Sequence, residues 1–310
     1  MRVAEADRAF LHAQLAGPGL ALDFGAARVR IRSDVPELPP MLRALYGGYA
    51  IEDPAGLCDV TVKLRRARGL RRWVRPQVEL LIDGGIELEP FPRDTPLPLL
   101  EWGMNYALAT RLCCYLLLHS GVVERHGRAV LLPAAPGSGK STLTAALALR
   151  GFRLLSDEFA VVRFSDGQLQ ALLRPVALKN ESIDVIARFA PGAVIGPRFP
   201  KTHKGTVAHL APAAEHVAAR HAPAAPALVV FPRFDPSVGL EIEPVPKARA
   251  FARLAVNSFN YEILSPDGFD ALGRVVQAST CYQLRYSDLE RAVDAIGALL
   301  DEAAPASARH

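Results

Sequence analysis

The stretch LLPAAPGSGKSTLTAALALRGFRLLSDEFAVV, Leu131 to Val162, decides how the rest of the chain is read. Within it, Ala134 is followed by any four residues and then Gly139-Lys140-Ser141, the spacing of a phosphate-binding P-loop with alanine in its first position. Glycines at 137 and 139 let backbone N–H groups turn inward toward phosphate oxygens, and a following helix adds the positive end of its dipole. RAVLLPAA reads as a buried strand before the loop and STLTAALALR as a helix after it. The expected phosphate contacts run over Ala134, Pro136, Gly137, Ser138, Gly139, Lys140, Ser141 and Thr142. Lys140 supplies a point charge for the β and γ phosphates of ATP, and Ser141 a hydroxyl for Mg²⁺.

The acidic pair that ends this stretch can be placed by length. A helix from Ser141 to Arg150 descends about 15 Å, and the strand Phe152 to Ser156 climbs about 16 Å back. Asp157 therefore ends level with the phosphates, at the carboxyl edge of a strand running with the P-loop strand. A carboxylate there can hold Mg²⁺ or accept the proton of an attacking hydroxyl; a turn cap is its plainer role. Glu158, next in the chain, points to the opposite face unless the backbone bends. His119, on the strand before the P-loop strand, can reach a γ-phosphate or orient a carboxylate, or be a satisfied core histidine.

Before this region the chain looks β-rich. Gly19 to Ser33 and Cys58 to Arg66 alternate apolar and polar residues, and Val78 to Phe91 folds about Asp83-Gly84-Gly85 as a hairpin. Leu42 to Tyr49 is expected to form a short helix. A proline-rich link, Pro90 to Pro98, closes an N-terminal module, 1–97, suited to binding a partner or substrate. A P-loop domain over 98–303 follows, then a tail, 304–310. It opens with a helix over Leu99 to Leu112 and has a hairpin about Ser165-Asp166-Gly167. It continues through the strand ALVVFPRF and closes with helices near Lys247 to Ser258 and Ser287 to Ala303. Residues 190–226 show weak periodicity and are expected to be mobile. Arg174, Lys179 and Glu181 offer charges for transferring phosphate or metal, and the basic loop Arg198 to His209 a lid or clamp, although solvated loop charge explains both sets as well.

A net charge of +4 is mild, and the run Lys63 to Arg75 is basic with one interleaved tryptophan, Trp73, so nucleic acid is not expected as a partner. Four cysteines without metal-ligand spacing suggest reduced thiols and a cytoplasmic location. Glu101 and Arg111 interrupt the most apolar region, which argues against a membrane span.

LLLHSGVVERHGRAVLLPAAPGSGKSTL with RGFRLLSDE resembles the nucleotide site of bacterial HPr kinase/phosphorylase, and EWGMNYA, RPVALKNESID, KTHKGTVAHL, VVFPRF and AVNSFNYEIL resemble the HprK-related kinase A group. The resemblance implies an α/β fold of the HPr kinase and phosphoenolpyruvate carboxykinase type, with a mixed sheet and the smaller β-rich module in front. It implies ATP and Mg²⁺, with Asp157 as catalytic base, His119 as the strand histidine, and Glu181 as a second metal carboxylate beside Ser141 and Asp157. Glu158 stands where the bifunctional enzyme has a second Asp, and the segment that accompanies phosphorolysis is missing, so a kinase alone is expected. Some relatives phosphorylate peptide serines. The leading expectation is γ-phosphoryl transfer to a hydroxyl of a protein or peptide, by a chain compatible with homo-oligomers. An ATPase switch and a small-molecule kinase are the alternatives.

Overall fold

The computed structural model describes residues 1–135 and 137–303; Pro136 and the 304–310 tail lie outside the described residues. The chain is α/β, with mixed sheets, and divides into two compact units with interleaved sequence. Met1–Leu112 and Arg174–Ala219 form the first, and Cys113–Leu173 with the chain from Arg220 the second. No helix among the described residues is long and apolar enough to cross a membrane.

The first unit is built on a six-stranded sheet. Strands Leu20–Asp23 and Arg28–Ser33 form a hairpin, Val60–Arg66 joins parallel to the second of them, and Gln77–Ile82 returns antiparallel. The short strands Ile86–Glu87 and Phe91–Pro92 both pair with Gln77–Ile82. Alternation puts Val60, Val62, Leu64, Val78, Leu80 and Ile82 on the buried face. Helix Pro96–Arg111 packs there so closely that a Cβ on Gly103 would lie 2.5 Å from Leu80 Cδ2. The helix expected over 42–49 spans Leu38–Leu45 instead, because prolines are well placed in a first turn, where no N–H is needed. Helix Arg8–Ala16, capped by the Asp7 side chain, was not apparent from the sequence pattern.

The boundary expected at 97/98 falls elsewhere. Helix Pro96–Arg111 belongs to the first unit, and so does 174–219, because a buried polar cluster joins them. Arg174 donates to Glu101 Oε2 at 3.2 Å and to Asn105 Oδ1, while the Tyr46 hydroxyl donates to the other Glu101 oxygen. Residues 190–226, expected to be mobile, contain strands Phe199–Thr202 and Gly205–Leu210, which complete a three-stranded sheet with Val176–Lys179. Their short length and flanking prolines hide the strand period.

The second unit holds an eight-stranded mixed sheet. The P-loop strand Arg128–Pro133 lies between Tyr115–Arg125, antiparallel, and Ala225–Phe234, parallel; Thr280–Tyr286 continues parallel, and Leu240–Pro244 ends that side. On the far side of Tyr115–Arg125 run Arg153–Ser156 and then Phe159–Arg163, paired to successive halves of it, with Leu169–Gln170 beyond. Arg153–Ser156 thus runs in the same direction as the P-loop strand, with the histidine-bearing strand between them.

Candidate functional site

Three parallel strands end at one edge of the second unit, and the P-loop is fixed by those ends. Ser138 O accepts the Phe234 N–H at 2.9 Å, and the Tyr286 hydroxyl donates to Gly139 O at 3.4 Å. Burial pushes the Tyr286 phenol up, which keeps it a donor. Gly137 and Gly139 have φ of 84° and 89°, the left-handed region open to glycine, and a Cβ on Gly139 would also meet the Tyr286 hydroxyl at 2.8 Å. Helix Lys140–Ala148 starts at once, so its free N–H groups and dipole face the loop. The loop borders a cavity of about 910 Å³ whose lining includes Ala134, Gly137, Ser138, Phe234, Arg253 and Asn257. That volume suits a nucleotide-sized ligand.

Lys140 is buried, and its ammonium donates to the backbone carbonyl of Asp157 at 2.7 Å. It also lies 4.0 Å from Glu158 Oε2, while Glu158 Oε1 lies 3.4 Å from His119 Nε2. The backbone makes this possible. Val122 pairs with Ser156 but Val123 with Leu154, so Leu155 is an extra residue, and a bend follows at Asp157 and Glu158. The Ser156 hydroxyl caps the bend, accepting from the N–H groups of Glu158 (3.4 Å) and Phe159 (3.1 Å). Pairing then resumes with Phe159 opposite His119. Asp157 is buried, whereas Glu158 keeps partial access to solvent.

His119 is held from its other side by residues that periodicity did not reveal. Its N–H donates to Asn257 O at 2.8 Å, and the Asn257 side chain donates to its carbonyl at 2.9 Å. The Phe259 ring lies tilted against its ring at 5.6 Å, and the Asn260 side chain accepts from Leu117 N and donates to Tyr115 O. The available signal was NSFN, two asparagines around an aromatic directly after a helical run. Arg253, over the Phe231 ring at 4.8 Å and bonded to Gln283 Oε1 at 2.9 Å, is a second residue missed, since a helical arginine carries no such signal by itself.

Lys140, Asp157, Glu158 and His119 are thus brought together, with Ser141 and Thr142 in the first turn of the P-loop helix. Pro136 lies outside the described residues. Glu181 opens helix Glu181–Phe189 in the first unit and is exposed. Arg174 is a correction to both earlier readings: it is a buried partner of Glu101, neither solvated nor free for phosphate. His209 of the expected basic lid is buried too, with its pKa lowered to about 3 chiefly by burial, then by Arg174 and Lys179, so it adds no charge there.

Among the described residues no group of three or more His, Cys, Asp or Glu is arranged to hold a metal ion. Mg²⁺ needs less. It binds through one or two protein oxygens and takes the remainder from phosphates and water, a donor set that the Ser141 hydroxyl and the Asp157–Glu158 pair fit. Comparison with protein-family models and with curated proteins gave no match.

Proposed function

We propose that this protein is an ATP- and Mg²⁺-dependent kinase that transfers the γ-phosphoryl group to a hydroxyl, most readily a serine of a protein or peptide. The observation that carries the reading is the position of Lys140, which starts the P-loop helix and whose ammonium reaches the backbone carbonyl of Asp157 and the side chain of Glu158. An opposed cation and carboxylate beside a phosphate cradle are what in-line phosphoryl transfer requires. The likeness of the site segments to HPr kinase supports the same reading.

Bound Mg²⁺, held by Ser141 and a carboxylate of the pair, supplies charge neutralisation on the phosphates. The chain does the rest. The P-loop N–H groups orient the β and γ phosphates, Lys140 balances their charge, and Asp157 accepts the proton of the acceptor hydroxyl. His119 holds Glu158 in place. Glu181 enters as a second metal carboxylate only through the resemblance.

One observation favours a second reading. Glu158 is the carboxylate with solvent access beside Lys140 and His119, and a glutamate so placed can orient a water for ATP hydrolysis. The deciding experiment incubates the protein with γ-labelled ATP, Mg²⁺ and the products of neighbouring genes. Label in phosphoserine supports the protein kinase, label only in free phosphate the ATPase switch, and label in a metabolite a small-molecule kinase. Lys140→Ala is expected to weaken Mg-ATP binding by calorimetry and to abolish transfer, and unchanged binding and activity would remove all three.

A further inference from the structure

A second cavity, of about 930 Å³, lies in the first unit, and its lining includes Arg71, Arg75 and Arg93. Arg93 is neutralised by Glu37 at 2.7 Å. Among the described residues Arg71 and Arg75 have no ion-pair partner. Both arginines come from the segment Lys63 to Arg75, which holds no acidic residue. Arg75 has φ 47°, a left-handed conformation that a non-glycine residue keeps only where its surroundings impose it.

The same segment carries a second feature. A one-turn helix, Gly69–Arg72, is closed by Val74 N–H donating to Leu70 O at 2.9 Å, and it turns its large apolar side chains outward. Leu70 is 73% exposed, Trp73 78% and Val74 51%. Scattered exposed apolar residues are ordinary, but three within five positions, in the same segment as the two arginines and beside a cavity, form a mixed apolar and basic surface. Met41, Pro76, Pro92 and Pro96 add apolar surface to the lining, with Gln77 and Asp94 as its remaining polar residues, so Arg71 and Arg75 are the cationic donors left without an ion-pair partner among the described residues.

We propose that this cavity docks a peptide segment of a partner protein that combines carboxylates, for Arg71 and Arg75, with an apolar side chain covered by Leu70, Trp73 and Val74. Charge complementarity selects an acidic occupant, and the concave shape selects a chain. A bilayer surface is too flat to fill such a cavity. A nucleic-acid strand carries charge at every residue and needs several aromatic faces for its bases, whereas this segment offers Trp73 alone for stacking. Docking here is independent of the phosphoryl-transfer reading.

The test selects a random 12-residue displayed peptide library on the immobilised full chain. Expected is enrichment of peptides with clustered Asp and Glu around an apolar residue. Their binding, by fluorescence anisotropy, should weaken at least tenfold in Arg71→Glu/Arg75→Glu and several-fold in Trp73→Ala. It should be unchanged in Arg188→Glu/Arg249→Glu, which makes the same charge change elsewhere. Unaltered melting temperatures certify the fold, and Trp73→Ala remains informative if the double reversal unfolds. No enrichment, enrichment without acidic bias, or equal binding by wild type and Arg71→Glu/Arg75→Glu overturns the proposal. So does arginine-dependent binding of phosphatidylserine vesicles or of a dT20 oligonucleotide that selected peptides fail to compete.

Discussion

Asp157 and Glu158 are chain neighbours in different surroundings, Asp157 being 6% exposed and the Glu158 side chain 32%. On the kinase reading Asp157→Asn, which keeps shape and removes the proton acceptor, should slow transfer by about 10² to 10⁴ with little change in ATP affinity. Glu158→Gln should slow it less. Single-turnover assays with calorimetry separate the two, and the opposite order would make Glu158 the base. Such a division is not legible in SDE alone. The sequence placed the pair level with the phosphates by counting residues, but the extra residue at Leu155 and the Ser156 cap that turn Glu158 toward His119 depend on pairing across the sheet. His209 allows a prediction by pH. Its folded pKa, about 3, lies below the ordinary histidine value of 6.5, so the unfolded chain binds more protons between them and stability is lost as pH falls through that window. The slope contributed is at most about 1.4 kcal/mol per pH unit. Denaturant melts from pH 7 to 5 should show a smaller loss in His209→Gln than in the wild type.

The P-loop helix depends on a glycine two residues beyond His119. A Cβ on Gly121 would fall 2.2 Å from Thr144 Oγ1, which is buried and donates to the Lys140 carbonyl at 2.9 Å. Helix and strand can meet only because that Cβ is absent. Gly121→Ala should therefore push helix Lys140–Ala148 outward, lower stability by about 1–3 kcal/mol, and weaken Mg-ATP binding measured by calorimetry. Full affinity in that variant would mean that the helix tolerates displacement. The elements read correctly from the sequence were long or bounded by strong turns: the P-loop strand, its helix and the hairpin at Asp166. Helix Pro266–Ala278 and strand Thr280–Tyr286 went unread, since an apolar stripe without a sharp break between them gives no boundary.

At the scale of the molecule the chain crosses between its units three times, after Leu112, Leu173 and Ala219. No periodicity announces this, because what joins 174–219 to the first unit is a set of buried polar contacts between residues far apart in sequence. Burial raises the pKa of Glu101 and Arg174 opposes that rise, so the guanidinium compensates the buried carboxyl. Arg174→Met should cost about 3–5 kcal/mol, as removal of one partner of a buried pair does, and Glu101→Leu/Arg174→Met should recover part of it in chemical denaturation.

The Glu101–Arg174 contact also sets an order of events on the ribosome. Glu101 leaves the exit tunnel well before Arg174, and everything between them, including the P-loop and the acidic pair, must be synthesised first. Until then the Glu101 carboxyl has the Tyr46 hydroxyl within its own module but not its guanidinium partner. Nascent chains stalled after residue 112 are expected to be cleaved readily by protease, and those stalled far enough beyond residue 219 to have released Ala219 to be protected over 1–112. The first unit is therefore completed only after segment 113–173 of the other unit has been made.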